Sequence, residues 1–509
     1  MKSKTTTAFN GVIVLTIALI VVKILSAIYR VPYQNVLGDS GLYAYQQIYP
    51  IVALGVILSM NAIPSALTQT FGTGRNDAKF ASVLVKLQYV CIGFFLILFI
   101  CAKWIAQFMG DANLAPMISA ASVSFLFFST LGVLRGYYQS KQEMNVPAIS
   151  QVVEQFVRVV IIMIAIALFA YRDWSIYAAG TLAILGSGFG FLASSLYLTL
   201  HKPFSMAEKN KAIEWKKLTL AIIVFAVSQL IVILWQVVDS FTVIHALTLN
   251  GLDFQHAISS KGVYDRGASF IQMGLIVTTT FCFVLIPLLT DAKNNKQIVL
   301  MNRYTNASLK ITLLISTAAG IGLINLLPVL NRVFFENNSE TFTLAVYMLT
   351  VICVSLIMME MSLLQVMNQE KMIFISCIVG IIIKACLNIL LIPHIQMLGA
   401  SIATVGSLVV TVIILHVNIK KFYQLSGLQT FILKLIGAMI LMSLAVQFVL
   451  WIIPTTGRLT GLLELLISAL AGIIVMVSAI IWMNLFKYRE LKHLPLGDKI
   501  YHLKRGKHE

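Results

Sequence analysis

Lys23, Glu154, Arg158, Asp239, Arg266, Glu360 and Lys384 read as deep within long apolar stretches of this chain, with Arg30 at the outer end of the first; Lys86, Lys434 and Glu464 lie nearer stretch ends. A charge at the centre of a bilayer costs roughly 2.5 to 3.5 kcal/mol on insertion scales, so the deep groups must face one another or water, not lipid. Glu154 and Arg158 are four residues apart, hence on one face of a helix, where they can neutralise each other or share a ligand. Lys23 and Arg30 are seven apart, two turns, which makes a cationic stripe about 10 Å long. Together with Arg266, Arg158 and Lys384 they form a set suited to an anionic headgroup, because guanidinium forks match phosphate oxygens and a low dielectric strengthens the attraction. Glu154, Asp239 and Glu360 are the candidates for a coupling cation or for counter-ions. The chemistry expected is binding and release. The chain carries no GxxxxGK[ST] phosphate loop, its six cysteines sit in apolar runs away from histidine, and neither a cofactor, a metal nor an enzymatic reaction is expected.

The elements that must hold these charges are membrane helices. Of 509 residues 59% are hydrophobic and only 11% charged, far from the roughly 25% charged composition of soluble domains. Continuous apolar runs, not alternating ones, predict α-helices, which satisfy their own backbone in hydrocarbon. Fourteen spans are expected, at about 9–29, 43–68, 83–106, 115–134, 147–170, 175–199, 219–243, 264–289, 307–331, 341–364, 372–392, 398–417, 430–453 and 460–485. Most of the 37 Lys and Arg then fall in loops and tails on one side, which places both termini in the cytoplasm by the positive-inside rule and argues against nucleic acid as the partner of a chain with net charge +17. The run after Lys2 and Lys4 reads as an uncleaved first span, and 135–145 as a polar hinge between spans.

The chain repeats itself at an offset of about 225 residues. Gln139 to Glu143 is echoed by Gln365 to Glu370, Ser150 with Arg158 by Ser376 with Lys384, and Ile63-Pro64 by Ile286-Pro287. This predicts two related six-helix bundles, residues 1–200 and 219–420, joined by a cytoplasmic linker at 201–218 and followed by two additional helices in 421–486 and a basic tail at 487–509. Parallel repeats of this kind are a standard transporter construction, with the substrate near the midplane between halves.

The motifs Arg135-Gly136-Tyr137-Tyr138-Gln139, Pro147-Ala148-Ile149-Ser150-Gln151, Glu154-Gln155 and Arg158-Val159, followed by Gly262 to Gly267, Lys384 with Asn388 and Pro393, and Gly399 to Thr404, resemble the polysaccharide biosynthesis branch of the multidrug/oligosaccharidyl-lipid/polysaccharide exporter superfamily. Within that branch they are most similar to the stage V sporulation protein B and MurJ-type lipid II flippase groups. The resemblance implies a cell-membrane flippase that moves a polyprenyl diphosphate-linked saccharide by alternating access, with membrane lipids around it and a functional link to envelope glycan synthases. It also implies that cavity cations of spans 1 and 8 carry over to Lys23, Arg30 and Arg266; span 2 has Gln46 and Gln47 where the relatives have arginine. The sister branch offers the alternative of a cation-coupled multidrug exporter, which predicts carboxylates outnumbering deep cations. An integral glycosyltransferase would need acids on an exterior loop, and the longest, His245 to Gly262, holds only Asp253.

Overall fold

The computed structural model describes residues 2–72, 77–201, 213–249, 251–282, 286–454 and 457–486; the basic tail and residues 202–212 of the expected linker lie outside them. The described residues are overwhelmingly α-helical and fall into two compact units, one ending at Asp265 and one beginning at Arg266. The first holds α1 (Lys2–Ile57), α2 (Ile63–Phe71), α3 (Asp77–Ile100), α4 (Ala102–Phe108), α5 (Ala115–Val123), α6 (Phe128–Ser140), α7 (Asn145–Arg172), α8 (Ile176–Leu200), α9 (Trp215–Leu249) and the start of α10 (Phe254–Cys282). The second holds the rest of α10, then α11 (Ile286–Asn294), α12 (Ile298–Phe335), α13 (Thr341–Met348), α14 (Thr350–Val366), α15 (Glu370–Ile419), α16 (Leu428–Ile452) and α17 (Arg458–Trp482).

Among the described residues, eleven helical segments are long and apolar enough to cross a bilayer, against fourteen expected in the whole chain. The difference lies partly where the backbone bends without losing its helical hydrogen bonds for long. Expected spans 1 and 2 are both in α1, broken only at Gly38, whose φ of 72° and ψ of −174° suit a residue without a Cβ. Spans 11 and 12 are both in α15, which follows Pro393 with non-helical Ile395 and Gln396. Its second limb returns so closely that a Cβ on Gly399 would lie 2.7 Å from the Leu391 backbone. A third irregularity precedes Pro64: the missing proline N–H cannot continue the α ladder, and Leu58–Ala62 widen into a π-helix.

The core of the first unit is aromatic. Phe80 stands edge-on to both Phe71 and Tyr137 at 5.3 Å, and Phe128 contacts Phe125 at 4.6 Å and Phe191 at 5.3 Å. In the second unit, Ala307, Ile311 and Leu314 of α12 pack with Leu435, Met439, Met442 and Val446 of α16 and Met476 of α17. Outward-facing Tyr89, Ile100, Leu433, Trp451, Leu463 and Ile474 are exposed, as hydrocarbon rather than water would require. The chain is a multi-pass membrane protein.

The glycines of α8 serve two neighbours. Gly186 and Gly190 face α7, where a Cβ would lie 3.2 Å from the Arg158 carbonyl oxygen and 2.5 Å from that of Glu154; Gly180 and Gly188 face Met117 and Val123 of α5. Close approach of α7 and α8 is therefore written at the level of the buried charges. Gly190→Ala must push the two backbones apart, and it is expected to cost about 1–3 kcal/mol, seen as a lowered thermal midpoint in detergent; Gly188→Ala, with 3.5 Å of clearance to Val123, is expected to leave the midpoint unchanged.

Candidate functional site

In the first unit the charges are organised around α7. Glu154 accepts from Arg135 Nη2 at 2.7 Å through Oε2 and from Arg158 Nη2 at 2.9 Å through Oε1, and all three side chains are buried. Arg135 further donates to the hydroxyls of Ser150 and Ser194 at 3.0 Å each, and Ser194 donates to the Ser150 carbonyl, so one guanidinium ties α6, α7 and α8 together. Arg158 also donates to Gln155 Oε1 and lies over the Phe191 ring. The expected Glu154–Arg158 pair is thus a triad with a formal charge of +1. The hinge expected to start at Arg135 starts instead at Lys141: α6 runs on to Ser140, and Arg135 is 0% exposed inside the bundle. Its charge ended the apolar run in the sequence; its three partners, distant in sequence, let the helix carry it inward.

Arg30 is buried on α1 with its guanidinium 5.6 Å from the centre of the Tyr49 ring. Tyr29, Tyr33, Tyr45 and Tyr49 form one group across the Gly38 break: the hydroxyls of Tyr29 and Tyr45 meet at 3.2 Å, and Tyr45 packs on Tyr33 and Tyr49. Tyr49 lies within electrostatic reach of both Arg30 and Arg158. The Lys23 side chain lies outside the described residues. On span 2, Gln47 donates to the Ser240 carbonyl at 2.6 Å and accepts the Ser240 hydroxyl on its own carbonyl at 3.2 Å, fastening α1 to α9. Neighbouring Asp239 is buried within reach of Asp265, which pairs with Lys261 at 2.5 Å. Gly262 lets this corner form, since a Cβ there would sit 2.0 Å from the Asp39 carbonyl oxygen.

In the second unit Arg266 is buried, its guanidinium 5.4 Å from the centre of the Phe335 ring, and that ring rests on Phe270 at 5.5 Å. Lys384, 0% exposed, donates to the Thr404 hydroxyl and so joins the two limbs of α15. The residue four before it is Gly380, whereas the residue four before Arg158 is Glu154, so the two cations keep different company. Glu360 is buried with Oε1 2.8 Å from His416 Nδ1 on the second limb of α15. The structure therefore pairs Glu154 with Arg158 within the first unit, while Lys384 and Glu360 bond different neighbours, Thr404 and His416. Arg135, the tyrosine group, Lys261 with Asp265, and His416 were not among the expected site residues. The paired spacing of the tyrosines, i and i+4 on either side of Gly38, was the signal in plain view. Among the described residues there is no cluster of three His, Cys, Asp or Glu able to hold a metal.

An all-α, multi-pass assembly with charges enclosed inside its helical bundles is the architecture of a membrane transporter. The polysaccharide biosynthesis protein family model matches residues 8–293. The chain is 31% identical to the uncharacterized membrane protein YabM of Bacillus subtilis (strain 168), covering 97% of this chain and 96% of that one, and 24% identical to the lipid II flippase MurJ of the same organism, covering 91% and 93%. A solved structure of a lipid II flippase MurJ in an inward closed conformation superposes with a TM-score of 0.69 at 17% identity, covering 93% of this chain and 100% of that one. The chain belongs to the polysaccharide biosynthesis protein family, in the exporter superfamily its motifs resemble.

Proposed function

We propose that the chain is a flippase for a lipid-linked saccharide, of the polyprenyl diphosphate type, feeding cell-envelope polysaccharide synthesis. The observation that carries this is the setting of Arg30 and Arg266: both are buried, with the guanidinium 5.6 Å from the centre of the Tyr49 ring and 5.4 Å from that of Phe335, and a buried guanidinium is suited to bidentate capture of a phosphate. The similarity to a lipid II flippase over nine-tenths of the chain supports the same cargo class. Binding differs between inward-open and outward-open states, and that difference moves the headgroup without covalent chemistry. Location in the cell membrane with both termini in the cytoplasm, and a functional link to the synthases that make and use the cargo, complete the proposal. Lys23, Arg158 and Lys384 are assigned to the cationic environment of the headgroup, Asp239 and Glu360 to coupling or charge balance.

The test is flipping of a fluorescent polyprenyl diphosphate disaccharide by the purified protein in proteoliposomes. Protein-dependent movement of the label across the bilayer is the expected result. A folded protein that leaves the lipid in place but drives proton- or sodium-linked efflux of an organic cation would overturn the reading in favour of a multidrug exporter.

A further inference from the structure

Four asparagines lie along α12, and three of them are satisfied. Asn302 accepts the Gln424 amide, Asn306 donates to the Asn302 and Gln424 carbonyls and accepts from Ser426, and Asn325 bonds Ser443 and Gln447 of α16. Asn331 is the exception. It is 0% exposed, and neither its Nδ2 nor its Oδ1 has a hydrogen-bond partner among the described residues. A carboxamide offers two donors and an acceptor with two lone pairs, and burying it unmet costs free energy that an apolar side chain of the same size would avoid. A core that bonds its other α12 asparagines and leaves this one unmet keeps it for something other than stability.

Its place says what for. Asn331 precedes Phe335 by four residues, so the two share a face of α12, one turn or about 6 Å apart along the axis. Phe335 is the ring on which Arg266 lies, and Pro328, three residues before Asn331, interrupts the backbone ladder of the same stretch. The helix register thus sets the unmet carboxamide one turn from the ring that Arg266 lies over. A diphosphate-linked sugar presents the matching pair of chemistries, anionic oxygens beside neutral hydroxyl and acetamido groups. A carboxamide both donates to and accepts from the latter, which a second cation could not do.

We propose that Asn331 is a cargo-positioning and specificity residue that reads the sugar attached to the phosphate held at Arg266; this rests on the flippase reading above. The experiment measures Asn331→Leu and the unaltered protein in proteoliposomes with two probes, a fluorescent polyprenyl diphosphate disaccharide and the same lipid diphosphate without sugar, alongside the thermal midpoint of each protein. The expected result is that the ratio of disaccharide to sugar-free transport falls about tenfold, the loss of roughly one good hydrogen-bonded contact, while the midpoint stays level or rises. An unchanged ratio overturns the proposal. A lowered midpoint with both lipids slowed alike also overturns it, by showing that Asn331 serves the fold. Failure of the unaltered protein to move the disaccharide removes the flippase reading itself, and this inference with it.

Discussion

Glu154→Ala is expected to give a protein that no longer holds its first unit together. The carboxylate is the only acid of a buried triad, taking Arg135 at 2.7 Å and Arg158 at 2.9 Å, and its removal leaves two enclosed guanidiniums facing each other. Breaking a buried ion pair by deleting one partner costs about 3–5 kcal/mol, because the other charge is left uncompensated, and here two charges lose their partner at once. Detergent-solubilised Glu154→Ala should therefore show a sharply lowered thermal midpoint and loss of the monodisperse peak in size exclusion. Arg158→Ala should cost less, since Arg135 still neutralises Glu154. The physical account makes a further demand: replacing Arg135, Glu154 and Arg158 together by methionine or leucine should restore much of the stability, because an apolar triad carries no desolvation penalty. Glu154→Ala with an unaltered midpoint would show that the triad does not hold α6, α7 and α8. If the triple variant folds and transports, Arg158 belongs to the architecture; if it folds and does not transport, Arg158 belongs to the cargo.

How far these charges could be read in the sequence depends on how local their partners are. Glu154 and Arg158 were legible as a pair because four residues on a helix put them on one face, and α7 shows them bonded. Arg135 was not, because its partners Ser150 and Glu154 lie on α7 and Ser194 on α8, and only the packing of α6 on both helices unites them. An arginine at the end of an apolar run reads as an interface, and nothing short-range distinguishes it from one that is buried. The same applies to Glu360, whose histidine lies 56 residues away. Helices were legible from continuous hydropathy, and the non-helical backbone at Gly38 and at Ile395 and Gln396 falls between stretches that the hydropathy divides, 9–29 from 43–68 and 372–392 from 398–417. At the offset of about 225 residues seen in the sequence, Lys384 falls where Arg158 does, yet a Gly at 380 and a hydroxyl at Thr404 give it different partners.

Arg30→Ala and Arg266→Ala are expected to abolish flipping while leaving the protein folded, the second large effect. Each guanidinium lies near a ring, so truncation removes a cation–π contact of about 0.5–2 kcal/mol together with the other bonds the side chain makes, such as that of Arg30 to Tyr29. The loss at the cargo is larger. A charge-assisted bidentate contact to phosphate in an enclosed site is roughly twice as strong as a neutral one, about 1.5–3 kcal/mol, which is ten- to more than hundredfold in rate or affinity if it is made in the rate-determining state. The lysine variants sharpen the prediction: Arg30→Lys and Arg266→Lys keep the charge but lose the planar fork, so transport should recover only in part. Full activity in the lysine variants would mean that charge alone serves the cargo and that Tyr49 and Phe335 play no orienting role. Raised salt discriminates further, since an enclosed contact is screened far less than a surface one. Flipping by the unaltered protein should therefore change little between low and physiological ionic strength, whereas a steep fall would place the phosphate on an exposed cationic surface instead of at Arg30 and Arg266.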